Sequence, residues 1–248
     1  MRVFLIAVTF LTRLPFPAPN EVTQKEFTSS QRCYPLIGLI LGLFLLFTAL
    51  FLRPYYSPLI VAALILIEEL LLTGGLHMDG FMDSMDALWS ARTPERMLEI
   101  MKDSRVGSFG ALSAIAMLVL KFSLLAEVCR AGSYLTLLIM PMLSRWMFLI
   151  GVIFFPYARK SGLGQGFHED LKQTPWFFLI EGICSLALAI YLLHWAGLMG
   201  FLFSFLFLLC FTRKTAKLLG GLTGDLYGAS IELSELLFLL GAVPFIRH

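Results

Sequence analysis

The 248-residue sequence predicts an all-α, polytopic membrane protein, and three observations carry the prediction. Its mean hydropathy is +0.82, with 58% hydrophobic and only 15% charged residues, far from the balance of a water-soluble domain of this length. The apolar residues fall in blocks approaching the 17 to 25 residues that a helix needs to cross about 30 Å of hydrocarbon. The basic residues crowd onto alternate connections between those blocks.

Before the first block, MRVFLIAVTFLTRLPFP lacks an A-x-A-like cleavage site and ends in proline-rich sequence. It is too short to span and reads as a short apolar or interfacial helix within a cytoplasmic segment, residues 1–34. Seven blocks follow, over approximately 35–52, 57–76, 110–129, 134–155, 176–193, 198–211 and 231–246. The sixth is short, so about seven spans are expected, with six as the alternative if it is re-entrant. One integral-membrane domain, 1–248, accounts for the whole chain. Cys33, Cys129, Cys184 and Cys210 show no C-x-x-C pairing and read as packing residues.

Of the nineteen Lys and Arg, fourteen lie before the first block or after the second, fourth and sixth. Positive residues stay in the cytoplasm during insertion, so that side is cytoplasmic and the amino terminus lies inside. The long polar stretches 77–109, 156–175 and 212–230 then share the cytoplasmic side, and the outer connections are short. This asymmetry favours an enzyme acting on cytoplasmic polar substrates over a carrier, which needs a path to both faces.

Residues 73–86 read TGGLHMDGFMDSMD. On a helix, Asp79, Asp83 and Asp86 project along one face. Three carboxylates there form either a solvated juxtamembrane surface or a site for Mg²⁺, which prefers oxygen ligands. The chain continues KDSRVGSFG, offering Asp103 as a further ligand and Lys102 and Arg105 as phosphate partners; Gly107 and Gly110 would let the backbone approach an anion. Carboxylates, a divalent metal and basic residues form the apparatus of phosphoryl transfer. The aspartate-rich stretch 77–109 is thus the candidate catalytic segment. His77 is either a structural hydrogen-bonding residue or part of the site. TPERMLEIMKDS reads as a short helix with Thr93 as cap and Pro94 at the first turn.

Arg159, Gly162 and Gly164 lie in ARKSGLGQGF, which is a flexible connection or a phosphate loop. Arg13, in FLTRLPFP, is a further candidate substrate-binding residue. Asp225, in GGLTGDLYGASIELSEL, is a carboxylate at the mouth of the last block. Glu232 and Glu235 share a face that must point into the protein, and Arg145, Glu68 and Glu69 also fall inside blocks, so a buried ion pair is expected among them. Lys121 reads as a residue that snorkels.

FLTRLPFP, YPLIG, the block from TGGLHMDGFMDSMD through KDSRVGSFGAL, Ser144–Arg145, GLG at 162–164 and GGLTGDLYGASIELSEL occur in order along nearly the whole chain. Together they resemble the cobalamin synthase family, the adenosylcobinamide-GDP ribazoletransferases. The resemblance implies a bacterial inner-membrane enzyme with Mg²⁺ as cofactor and adenosylcobinamide-GDP as donor. The acceptor is the 5′-hydroxyl of α-ribazole, or α-ribazole 5′-phosphate, and GMP leaves. It carries over His77, the D-x-x-x-D-x-x-D of Asp79, Asp83 and Asp86, the D-S-R of Asp103 and Arg105, and the T-G-D of Asp225. Metal binding is expected at Asp79, Asp83, Asp86, Asp103 and Asp225. Catalytic roles are expected of Asp83, Asp86 (base or third ligand) and His77, and substrate binding of Lys102, Arg105, Arg159, Arg13, Gly162 and Gly164. The bilayer is an expected partner, nucleic acid is not, and association with other nucleotide-loop enzymes or with a second copy is left open. Ala87 departs from the family's usual glycine.

Two enzyme classes and a carrier compete. A CDP-alcohol phosphotransferase would place alanine-arginine after its first D-G, and a prenyltransferase would carry D-D-x-x-D; DGFMDSMDALWS has neither. A secondary transporter would use the intramembrane charges but leave the loop motifs without a purpose.

Overall fold

The computed structural model describes residues 1–159 and 175–246. The described residues are built from helices: α1 (Arg2–Leu11), α2 (Gln24–Ser30), α3 (Tyr34–Leu52), α4 (Pro58–Thr73), α5 (Leu76–Trp89), α6 (Pro94–Ile100), α7 (Ser108–Arg130), α8 (Leu135–Phe154), α9 (Pro175–Leu219) and α10 (Gly224–Ala242). Five runs are long and apolar enough to cross a membrane: Gln24–Leu52, Ser108–Arg130, Leu135–Phe154, Trp176–Leu219 and Gly224–Phe245. A sixth arises if α4 and α5 count as one broken span.

α8 and α10 form the centre, and most of their residues are buried. α3, α7 and α9 surround them and leave Phe47, Phe51, Leu112, Ile115, Ile183 and Leu206 exposed, as lipid-facing helices do. α3 crosses α8 with Gly38 against the backbone of Pro141 and Met142, and with Gly42 against that of Leu137 and Leu138. Small residues there let the two backbones come close, as they do in membrane helix pairs.

At 45 residues, a straight α9 would be about 68 Å long, twice a bilayer's core. It is not straight. His194 has non-helical angles, φ 53° and ψ −127°, and Gly197 lies against the carbonyl of Ala189. The rings of Phe178 and Phe201 both stack on Trp146, at 4.9 and 5.8 Å, although a straight helix would hold them about 35 Å apart. α9 is therefore a hairpin, and its legs contain the segments expected at 176–193 and 198–211.

The expected span 57–76 also ends differently. α4 stops at Thr73, and Gly74 (φ 64°) and Gly75 (φ 70°) take the left-handed conformation that side chains resist. The chain then turns through 91° into α5, so the aspartate-bearing segment is a helix laid across the end of the bundle. α6 begins as predicted, with Thr93 accepting from the Arg96 amide and Pro94 in the first turn.

In the bundle core, Lys121 is 1% exposed and does not snorkel. Its Nζ lies 2.9 Å from Glu69, 3.4 Å from Glu232 and 2.5 Å from Glu235. Glu235 also pairs with Arg145 and accepts from Ser144 at 3.0 Å. The expected buried ion pair is thus a network joining α4, α7, α8 and α10. Glu68 stands apart from it and accepts from Thr48 at 2.9 Å. All four cysteines are free; only Cys129 is buried, whereas Cys184 and Cys210 are exposed on α9.

Candidate active site

α5 and α10 meet through glycine. A side chain on Gly80 would run into the backbone of Asp225, and one on Gly228 would press on the His77 backbone. This close crossing brings the face of α5 that bears Asp79 and Asp83 against the first turn of α10, where Thr223 caps the helix and Asp225 follows. Arg159, just beyond α8, donates from Nη2 to Asp225 at 2.7 Å. Four predicted site residues from three separate stretches thereby reach one end of the bundle.

Asp79 is exposed there, while Asp83, Asp86, Asp225 and Arg159 are half-buried. Burial first, then the charges of Asp79, Asp225 and Asp86, push Asp83 up to about 7. Arg159 pulls the other way but does not cancel this crowding. The cluster therefore carries a negative field that a cation would relieve.

Asp86 has a different attachment. It accepts from the backbone amides of Gly107 and Gly110, both at 2.8 Å, at the start of α7, where unpaired amides and the helix dipole favour a carboxylate. A Cβ on either glycine would overlap that carboxylate. The anion that these two glycines admit is thus Asp86 itself rather than a phosphate. Asp103 is likewise occupied: it takes a two-pronged bond from Arg105, 2.6 Å at the closest, which lowers it to about 2.

Lys102 is exposed at the end of α6. Arg13 packs over Gly74 at the α4–α5 corner, and its amide donates to Leu72 at 2.7 Å. Gly162 and Gly164 lie outside the described residues. His77 is 3% exposed; its Nδ1 lies 3.4 Å from Arg145 Nη2, which links the site to the buried network.

A cavity of about 290 Å³ opens beside Asp79, Asp225 and Arg159 and runs inward past His77 between Phe10, Tyr34, Phe148 and Tyr227. The aromatic residues from α1, α3 and α8 were not anticipated as site residues; FLTRLPFP and YPLIG were the only signals in the sequence that touched them. A larger space, about 880 Å³ near Ser133, His194 and Phe245, contains none of the predicted site residues.

Among the described residues, no three His, Cys, Asp or Glu side chains stand close enough together to hold a metal ion unaided. Mg²⁺ commonly takes one or two carboxylates and completes its shell with substrate phosphates and water. The Asp79–Asp83 face, with its unrelieved negative field, fits that type of site.

Residues 3–243 match the family model described as cobalamin-5-phosphate synthase. The chain belongs to that family. Its relatives include the adenosylcobinamide-GDP ribazoletransferases of Desulfitobacterium hafniense, 63% identical over 99% of this chain and 98% of the relative, and of Brevibacillus brevis, 40% identical over 97% of each. That of Alkaliphilus oremlandii is 35% identical over 98% of this chain and 97% of its own. No solved structure matches. Family membership therefore spans all the elements that build this site, from α1 to α10.

Proposed function

We propose that this protein transfers the cobinamide phosphoryl group of adenosylcobinamide-GDP to α-ribazole or its 5′-phosphate, releasing GMP, with Mg²⁺ as cofactor, at the cytoplasmic face of a bacterial inner membrane. The observation that carries the reading is the convergence of Asp79, Asp83, Asp225 and Arg159 at one end of the helix bundle. It occurs in a chain 63% identical to a named adenosylcobinamide-GDP ribazoletransferase. A transporter or a CDP-alcohol phosphotransferase has no comparable support.

The acceptor atom needs revision. An acceptor phosphorylated at the 5′ position has no free 5′-hydroxyl, and the family's name describes a product that retains a 5-phosphate. The new phosphodiester must therefore form through another ribose hydroxyl, rather than the 5′-hydroxyl expected from the sequence. Its oxygen attacks the phosphorus that bears cobinamide, the bond to the GMP oxygen breaks, and the hydroxyl proton passes to solvent.

Asp79 and Asp83 would hold Mg²⁺, which neutralises pyrophosphate charge when bound. Arg159, bonded to Asp225 through Nη2, offers its guanidinium to the phosphate oxygens. Lys102, exposed at the end of α6, adds positive charge as GMP departs, whereas the charge of Arg105 is balanced by its pairing with Asp103. Both oxygens of Asp86 accept amide hydrogens, so we assign Asp86 to holding α7 against α5 rather than to proton transfer. Positioning and charge neutralisation supply most of the catalysis in phosphoryl transfer. Counting the legs of α9 separately and α4 as a crossing, we propose seven crossings with the amino terminus inside.

The test is turnover by detergent-purified full-length protein given adenosylcobinamide-GDP, α-ribazole and Mg²⁺, with GMP and corrinoid product followed together. Equimolar GMP and cobalamin, both lost with EDTA, are expected. Folded protein that releases no GMP would overturn the assignment.

A further inference from the structure

The cavity of about 290 Å³ holds a buried imidazole, that of His77, which the proposed reaction does not use. Arg145 can only donate hydrogen bonds, so His77 Nδ1, 3.4 Å from its Nη2, must be the acceptor. That fixes His77 as the neutral tautomer with its proton on Nε2. Nε2 is buried and has no partner among the described residues, and His77 lines the cavity. His77 Nε2 therefore gives the cavity an N–H donor in need of an acceptor, beside Arg159 Nε and the Tyr34 hydroxyl, which line the same cavity and are buried without a partner among the described residues.

Around it the walls are aromatic. Tyr34 and Phe148 stack with ring centres 5.5 Å apart, Tyr227 meets Phe148 edge-on at 5.3 Å, and Tyr157 lies over Tyr227 at 6.5 Å. Such walls suit a flat ring system. The volume admits a nucleoside but not a corrin ring. A guanine could set O6 or N7 against the His77 N–H, but its N1–H and N2–H₂ donors would then be enclosed by aromatic walls, and each unpaired group would cost about 1 to 3 kcal/mol. The dimethylbenzimidazole of α-ribazole is flat and largely apolar, and its ring nitrogen not bonded to ribose is an acceptor.

We propose that this cavity is the acceptor-base subsite: the aromatic walls hold the benzimidazole of α-ribazole, and His77 Nε2–H donates to its free ring nitrogen. The assignment rests on the transferase reading. It makes His77 a specificity-determining residue, oriented through Arg145, in place of the catalytic role expected from the sequence. It also puts the ribose at the cavity mouth, beside Asp79, Asp225 and Arg159.

Equilibrium binding to the purified full chain, with EDTA present to exclude metal-mediated contacts, tests the assignment. Labelled α-ribazole is compared with the corresponding indole nucleoside, in which C–H replaces the free ring nitrogen. Wild-type protein should bind α-ribazole about tenfold more tightly, the size expected for one buried hydrogen bond. His77→Leu should erase that preference, Tyr227→Leu should weaken both ligands together, and GMP should not displace α-ribazole. Equal binding of the two nucleosides to wild type, which needs no variant to fold, would overturn the assignment, as would displacement by GMP. GMP release in the same preparation reports on transfer separately. Turnover without discrimination removes the subsite alone; discrimination without turnover supports the subsite and counts against the transferase reading.

Discussion

Asp83 and Asp86 sit three residues apart on one helix and are held in opposite ways. The first is crowded by burial and by Asp79, Asp225 and Asp86, which push it up to about 7; the second is bound by two amides of α7. A cation binds the ionised form of Asp83, so Mg²⁺ binding near neutral pH should release protons, and its apparent affinity should fall as pH drops below 7. Calorimetry in buffers of different ionisation enthalpy measures that release; a heat independent of buffer would contradict it. Asp83→Asn should remove the proton release and lower turnover by at least about 100-fold, consistent with loss of a ligand. Asp86→Asn should instead lower stability by about 1 to 2 kcal/mol, through loss of a charged cap, and so lower the thermal midpoint. An unchanged midpoint with abolished turnover would restore Asp86 to chemistry. The shared face of these aspartates is legible from their spacing. The partner of Asp86 is not, because a contact across 21 residues depends on where α7 begins.

At the scale of elements, the site depends on how closely α5 and α10 cross. Gly80 faces the Asp225 backbone and Gly228 the His77 backbone, so a leucine at either position must push the helices apart, separating Asp79 and Asp83 from Asp225. Gly228→Leu should abolish turnover and destabilise the fold. Gly224→Ala should be tolerated, since nothing lies within 4 Å of the added carbon. Comparable losses from both would show that the crossing is not the constraint. The Lys121 network ties α10 to α4, α7 and α8. Lys121→Met leaves Glu69, Glu232 and Glu235 without their common cation, which should cost about 3 to 5 kcal/mol, whereas the double variant Lys121→Met/Glu235→Gln should lose less than the sum of the single changes. A double-mutant cycle in detergent unfolding measures the coupling, and additive losses would refute it. Glu232 and Glu235 were recognisable as inward-facing from their spacing in an apolar segment. Lys121 was not recognisable as their partner, because sequence periodicity does not distinguish a lysine that reaches the interface from one enclosed by neighbouring helices.

For the whole molecule, hydropathy located most membrane segments within a few residues, since crossing a bilayer demands long apolar runs. It also separated 176–193 from 198–211, the two legs that a length count merges into α9. The 91° corner at Gly74–Gly75 escaped it, because apolarity continues through that corner into α5 and only backbone conformation marks the turn. The aromatic cavity escaped it as well: its rings come from α1, α3, α8 and α10, and nothing in their local patterns links them. The inside-positive argument adds sidedness, with a consequence that depends on every helix between the two ends. Lys102 belongs to the end that carries the carboxylates, whereas Ser133 lies beside the turn of α9 at His194. In a background with all four native cysteines replaced, Ser133→Cys should react with a membrane-impermeant maleimide on intact cells. Lys102→Cys should react only in inverted vesicles. Labelling of both from the same side would overturn the seven-crossing arrangement. Labelling of each from the side opposite to that expected would preserve the arrangement and reverse the orientation, placing the carboxylates away from the cytoplasmic nucleotide pool and so contradicting the proposed reaction at its first step.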